Sequence, residues 1–180
     1  MQVEGTLLLR RNEVDELLSL RDCIEAVEEV FRLQGEEKIP ASEILGLKAP
    51  NGGLHVKAGF LPRRQNYFVA KLNTNFPGNR TRFSLPTIQG LIAVFDAENG
   101  RLFAVLDSIE ITIKRTAAAS AVAAKYLARE NSSVATICGC GEQGRAQLRG
   151  IHSVLPLEKV FAFDLDIRIG KNFSGELSDE

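Results

Sequence analysis

Cysteine and histidine are scarce in this sequence, with three of the first and two of the second. The only close cysteine pair, Cys138 and Cys140, is spaced C-x-C rather than C-x-x-C and has no histidine nearby, so neither a zinc site nor a redox dithiol is expected. Charge of one sign is also missing: 22 basic residues face 23 acidic ones, a net charge of −1 at pH 7. No segment gathers the Lys/Arg stripe that a nucleic-acid backbone demands, which argues against nucleic acid as a partner. No apolar run approaches the roughly 18 residues of a membrane span, and the opening Met1-Gln2-Val3-Glu4 lacks the basic-then-apolar order of a signal peptide. The expectation is a soluble cytoplasmic protein with no membrane partner. There is no internal repeat and no low-complexity tract.

What is present suits a globular chain: 180 residues, 44% hydrophobic and 25% charged, enough for one domain or two small ones. Thr6 to Leu9 reads as a strand. Leu20, Ile24, Val27, Val30 and Phe31 recur at helical spacing up to Gly35. Leu54 to Phe60 and Tyr67 to Asn75 alternate as strands, and Ile88 to Phe95 and Leu102 to Leu106 flank a turn signal at Asp96-Ala-Glu-Asn-Gly100. A mostly antiparallel sheet follows.

Asp107 to Arg129 reads as a long helix, opened by Asp107 and Glu110 at capping-box spacing and closed by Lys125 and Arg129. Beyond it come an apolar run at Val134 to Cys138, a glycine turn, a helical stretch and a second run at Val160 to Phe163. That order is the opening of a doubly wound nucleotide-binding domain. The expected class is α/β: a mixed α+β substrate and dimerisation domain over residues 1–130, then the first βαβ unit of an incomplete Rossmann domain over 131–180. About fifty residues cannot supply the five or six strands of a whole sheet of that kind.

Gly139-Cys-Gly-Glu-Gln-Gly144 is a G-x-G-x-x-G in the right setting, after a strand and before a helix, with Asp164 at the end of the next strand. Gly139 would allow the tight turn, Gly141 the approach of a pyrophosphate, and Gly144 close helix–strand packing. Asp164 would accept from the adenosine ribose, favouring NAD over NADP; Asp166 could take its place.

Arg115 shares a helical face with Ile111, Thr112, Ala118, Ala119 and Val122 and has no acid beside it in sequence. Its guanidinium therefore either reaches solvent or meets an anion from elsewhere, and a carboxylate or phosphate suits its fork. Lys114 has Glu110 one turn before it, enough for a surface ion pair. Alternation puts Tyr67, Val69, Lys71, Asn73 and Asn75 on one face of a strand, and Phe68, Ala70, Leu72 and Thr74 on the other, which is expected to be core. His55 and Lys57 occupy the face equivalent to that of Lys71 on the preceding strand.

Taken together, Ala70-Lys-Leu-Asn-Thr-Asn-Phe-Pro-Gly-Asn79, Leu85-Pro-Thr-Ile-Gln-Gly90, Asp107-Ser-Ile-Glu-Ile-Thr112, Arg115-Thr-Ala-Ala-Ala-Ser-Ala121 and Cys138-Gly-Cys-Gly-Glu-Gln-Gly144 resemble the ornithine cyclodeaminase and mu-crystallin family. The resemblance implies a homodimeric enzyme whose first domain holds an amino-acid ligand and whose Rossmann domain holds NAD(H) or NADP(H). By that resemblance Lys71 and Arg115 engage the substrate α-carboxylate, Thr87 contacts the cofactor, Glu142 and Gln143 lie at the phosphate turn, and Asp164 is the ribose acid. An arginine found early in some members has no secure counterpart, Lys38 being the nearest basic residue. The catalytic acid of the family comes from a later segment, so no residue here is assigned that role.

The implied reaction converts ornithine to proline and ammonia by hydride transfer and a cyclic imine. Two alternatives stand beside it: a ketimine or cyclic-imine reductase or amino-acid dehydrogenase, and a catalytically silent fragment or binding protein. Ornithine-specific members carry an acid for the side-chain amine where this sequence reads His55-Val-Lys57-Ala, which weighs against ornithine itself.

Overall fold

The computed structural model describes residues 5–62 and 64–177. The chain divides into two compact units, Met1–Leu17 with Phe31–Ile111, and Leu18–Val30 with Thr112–Glu180. Helices α2 (Leu20–Gly35) and α4 (Ile109–Leu127) each give residues to both. The class is mixed α/β, with a six-stranded sheet in the first unit and one βαβ unit of Rossmann type within the second.

The first unit is built on a six-stranded sheet of order β1-β6-β5-β4-β3-β2. Its strands are β1 (Leu7–Leu9), β2 (Glu43–Ala49), β3 (Gly52–Leu61), β4 (Tyr67–Asn75), β5 (Ile88–Asp96) and β6 (Leu102–Asp107); a short helix α1 (Arg11–Leu17) follows β1 and another, α3 (Asn79–Phe83), follows β4. Among the described residues of this sheet only the β1–β6 pair is parallel. Successive strands from β2 to β6 run antiparallel, with α3 in the β4–β5 connection. The β5–β6 turn is held by Asp96, whose carboxylate accepts from the Glu98 amide at 2.8 Å and from Asn99 Nδ2 at 3.1 Å. That satisfaction is why a carboxylate only 7% exposed is tolerated there.

The two faces of this sheet differ. Lys71 on β4 lies opposite Lys57 on β3 and Ile92 on β5, and Asn73 lies opposite His55. Beyond Asn73 the face closes: Asn73 Oδ1 accepts from the hydroxyl of Ser108, a fully buried residue, at 2.8 Å. On the other face Phe68 opposes Phe60 and Phe95, and Leu72 opposes Val56 and Leu91. This face was expected to be core, and the structure corrects that: Phe68 is 49% and Leu45 55% exposed, with Leu47 and Leu91 also open. Alternation in a sequence reports that a face is apolar, not what covers it.

In the second unit, α2 and α4 are tied by Lys125 Nζ to Glu28 Oε1 at 2.8 Å and by the Tyr126 hydroxyl to the same carboxylate, and Lys114 Nζ donates to the carbonyl of Leu18, just before α2, at 2.7 Å. Ala117, Ala118, Ala121 and Val122 form the buried stripe of α4. Asp107 does cap this helix, its Oδ1 accepting from the Ile109 amide at 2.8 Å, while Glu110 pairs with Arg11 in the first unit. Strands β7 (Val134–Cys138) and β8 (Lys159–Phe163) pair in parallel and are joined by helix α5 (Glu142–His152); helix α6 (Ile167–Leu177) follows. Ile137, Cys140, Leu148 and Phe173 make the core here. Val134, Phe161 and Phe163 are half-exposed, although parallel strands are normally covered on both faces.

Candidate dinucleotide loop and carboxylate-binding face

The glycine turn sits where the sequence placed it. Gly139 follows the last residue of β7 with φ +96°, a conformation that side chains with a Cβ rarely adopt. Its amide donates to the Phe163 carbonyl at 2.8 Å, which carries the β7–β8 pairing into the loop. A Cβ on Gly144 would stand 2.0 Å from the Gly139 carbonyl oxygen, so α5 can cross the end of β7 this closely only with glycine there.

Gly141 is the N-cap of α5 in extended conformation, and no side chain caps the helix. Nothing lies within 4 Å of where its Cβ would be. Uncapped first-turn amides opening on free space suit an anion, so the residues present fit the pyrophosphate of a dinucleotide. Glu142 and Gln143 are exposed in that first turn. A cavity of about 470 Å³ between α5, β8 and α6 is bounded by Leu148, His152, Val160 and Phe173; none of the loop residues lines it.

Asp164, just after β8, does more than the sequence revealed. Its Oδ2 accepts from the Cys140 amide at 2.8 Å and its Oδ1 from the Asp166 amide at 3.0 Å. The carboxylate therefore clips the glycine loop to the end of β8, and each oxygen keeps a further acceptor site for a ribose hydroxyl. The hydrogen bond donated by the Cys140 amide, then that from the Asp166 amide, holds the Asp164 carboxyl below the usual range. A carboxyl lowered on folding adds stability above its unfolded value near 3.8 and loses it as the pH falls through the folded value. Asp164→Asn is accordingly expected to lose less stability than the parent chain between about pH 5 and about pH 3. Parallel denaturation curves at the two pH values check this, and identical losses would show that the clip is not formed. Cys140 beside it is 1% exposed and its thiol is pushed up by burial, so this cysteine is a packing residue.

In the first unit Lys71 is half-buried at mid-strand, and Thr87 precedes β5, its carbonyl accepting from the Phe76 amide at 2.9 Å. Arg115 belongs to the second unit, where it is exposed and has no ion pair among the described residues. Lys38 pairs with Glu36 at 2.7 Å. The structure thus brings Gly139, Gly141, Glu142, Gln143, Gly144 and Asp164 into one loop, and sets Lys71 beside Lys57, His55 and Asn73 on one face. No helix among the described residues is long and apolar enough to cross a membrane.

The sequence is 36% identical over 174 residues to an alanine dehydrogenase of Archaeoglobus fulgidus, covering 97% of this chain and 53% of that protein. A solved archaeal alanine dehydrogenase dimer with bound NAD superposes with a TM-score of 0.92 over 97% of this chain and 53% of the other, at 36% identity. The Δ1-pyrroline-2-carboxylate reductase of Thermococcus litoralis, solved with NADH and L-proline, superposes at 0.86 with 33% identity, covering 97% of this chain and 54% of that one. An L-lysine cyclodeaminase of Streptomyces rapamycinicus is 34% identical over 66% of this chain and 35% of its own length. The chain spans about half the length of the alanine dehydrogenase it matches. The profile of the ornithine cyclodeaminase/mu-crystallin family matches residues 4–179, and the chain belongs to that family.

Proposed function

We propose that this chain carries the substrate face, over residues 1–130, and the first dinucleotide-binding βαβ unit, over 131–180, of an enzyme that moves hydride between NAD(H) and the amine-bearing carbon of a small amino or imino acid. The observation that carries this reading is the glycine loop itself: an uncapped helix start opening on free space, braced by Asp164. Glu142 and Gln143 flank that seat, and Thr87 is proposed to touch the cofactor. When bound, the nicotinamide supplies the hydride acceptor or donor.

The chain's own residues bind and orient. Lys71 and Arg115 hold the α-carboxylate, fixing which hydrogen of the α-carbon is presented, an orientation effect rather than bond chemistry. Asp164 keeps acceptor capacity for a ribose 2′-hydroxyl and would repel a 2′-phosphate, which favours NAD over NADP. The open apolar face of Phe68, Leu91, Leu45 and Leu47 supports self-association as a homodimer. A cytoplasmic setting belongs to the same reading. Conversion of ornithine to proline and ammonia is one version of this chemistry; Lys57 beside Lys71 favours the amino-acid dehydrogenase or imine-reductase versions, because a side-chain ammonium would meet a second cation there.

Absorbance at the reduced-nicotinamide band tests the reading. A substrate-dependent net change identifies a dehydrogenase or reductase. Ammonia released from ornithine without net change identifies a cyclodeaminase. Neither signal, with NADH saturably bound, overturns the proposed hydride transfer and leaves a binding protein.

A further inference from the structure

Asparagine is a poor strand former, yet Asn73 stands well inside β4, which is paired on both sides, by β3 and by β5. Positions where a sequence breaks its local preference in this way are where function is expected. The surroundings hold the Asn73 amide in one orientation. Gly90 opposes Asn73 on β5, and a Cβ there would stand 2.4 Å from Asn73 Oδ1, so the amide oxygen lies over the space that the glycine leaves. The same oxygen accepts from the hydroxyl of fully buried Ser108 at 2.8 Å, and the Ser108 amide donates to the Gly90 carbonyl at 3.1 Å. With Oδ1 fixed there, the NH2 group of the planar amide is turned away from Ser108. It has no partner among the described residues. Nor is it sealed from solvent, for among the described residues the enclosed side-chain polar atom without a partner is Thr112 Oγ1. Asn73 Nδ2 is thus an oriented, unused donor on the face that also carries Lys71, two residues along the strand, and His55, directly opposite.

We propose that Asn73 Nδ2 donates to the α-carboxylate of the substrate, and that Ser108 is the positioning residue that aims it. This rests on the reading above that the face around Lys71 takes that carboxylate. Lys71 has contacts of its own within the protein, and Nδ2 is available irrespective of them. An amide NH2 only donates, so the ligand atom it meets must accept. The ammonium of an amino acid only donates, whereas its carboxylate only accepts. Residues two apart on one strand have Cα atoms about 6.7 Å apart, a span that a short asparagine and a long lysine can close onto one two-oxygen group. The lysine brings charge and the asparagine brings direction. A rigidly held neutral donor selects one orientation of the carboxylate plane, and that fixes where the α-carbon stands.

Calorimetric titration of the full chain with L-alanine and L-proline, in the presence of NADH, tests the assignment. Asn73→Asp keeps the shape and the acceptor for Ser108 but exchanges the donor for an anionic oxygen, so affinity for both acids should fall at least about 10-fold. Asn73→Ala combined with Ser108→Ala removes the donor without stranding a buried hydroxyl, and should lose about 10-fold as well. Ser108→Ala should weaken acid binding in the parent chain but add nothing in the Asn73→Ala background, because it acts through Asn73. NADH affinity without acid should stay at the parent value throughout. A structural role alone predicts that the folded variants bind both acids as the parent does, and that result overturns the inference. A loss in Asn73→Asp that is absent from the double variant marks charge interference and overturns it too; equal losses from Ser108→Ala in both backgrounds remove Ser108 from it. Lys71→Gln separates these failures from failure of the underlying reading. If it weakens acid binding while the Asn73 variants do not, the carboxylate face stands and only the Asn73 assignment falls; if it weakens neither acid, or if neither binds the parent chain, both fall.

Discussion

Gly144→Ala should cost the chain at least about 100-fold in NADH affinity, together with a loss of stability of about 1–3 kcal/mol in the second unit. The new methyl would stand 2.0 Å from the Gly139 carbonyl oxygen, 3.1 Å from its carbon and 3.3 Å from Ile137 Cγ2. Backbone cannot yield as a flexible side chain can, so either α5 lifts off β7 or the Gly139 turn opens. Both displacements spoil the geometry that points the first-turn amides of α5 at one spot. Gly141→Ala provides the contrast. Its methyl meets nothing in the protein and its φ of −78° is ordinary, so stability should stay within about 0.5 kcal/mol. The same methyl would occupy the space proposed above for the pyrophosphate, so NADH affinity should still fall. Thermal denaturation and NADH titration of the two variants separate packing from binding. Full stability in Gly144→Ala would contradict the close crossing; unchanged NADH affinity in Gly141→Ala would contradict the seat.

The second large effect is expected at Arg115. Being exposed and without an ion-pair partner among the described residues, Arg115 contributes little to folding, and Arg115→Ala should leave stability within about 0.5 kcal/mol of the parent. Affinity for an amino-acid carboxylate should nevertheless drop by roughly 10- to 100-fold, the scale of a lost charge-assisted bidentate contact. Arg115→Lys should recover only part of this, because a point charge replaces a planar fork. Carboxylate affinity that survives Arg115→Ala unchanged would remove Arg115 from the site.

These expectations draw on features of unequal legibility. The βαβ unit could be read because strand, glycine turn and helix each carry a strong local signal: β7 runs from Val134 to Cys138 and α5 begins right after Gly141, as the pattern required. The β5–β6 hairpin was legible from its Asp-Ala-Glu-Asn-Gly turn for the same reason. Strand β2 was not, since Glu-Ile-Leu-Gly-Leu-Lys-Ala has no clean alternation and every one of its residues is exposed; only pairing with β3 makes it a strand. Helix α1 escaped because its seven mostly charged residues bury Val14 alone.

At the site, residue types announced the glycine loop, but not that Asp164 already serves it by accepting from the Cys140 amide. Nothing in a linear pattern encodes a hydrogen bond between a strand end and a loop so distant in sequence. The opposition of Lys57 to Lys71 was half visible: alternation placed both on equivalent faces, whereas their direct juxtaposition is a matter of register, set by the whole β3–β4 ladder. The face bearing Phe68 shows the converse limit. Its apolar character is written in the sequence, but the half-exposure is a property of the folded chain.

The most direct test is a fluorescence titration of the chain with NADH, with and without a saturating amino-acid carboxylate. One reaction served by both the glycine loop and the carboxylate face predicts saturable NADH binding whose affinity changes when the acid is present. NADH that fails to saturate, or that binds identically whether or not the acid is there, would contradict it.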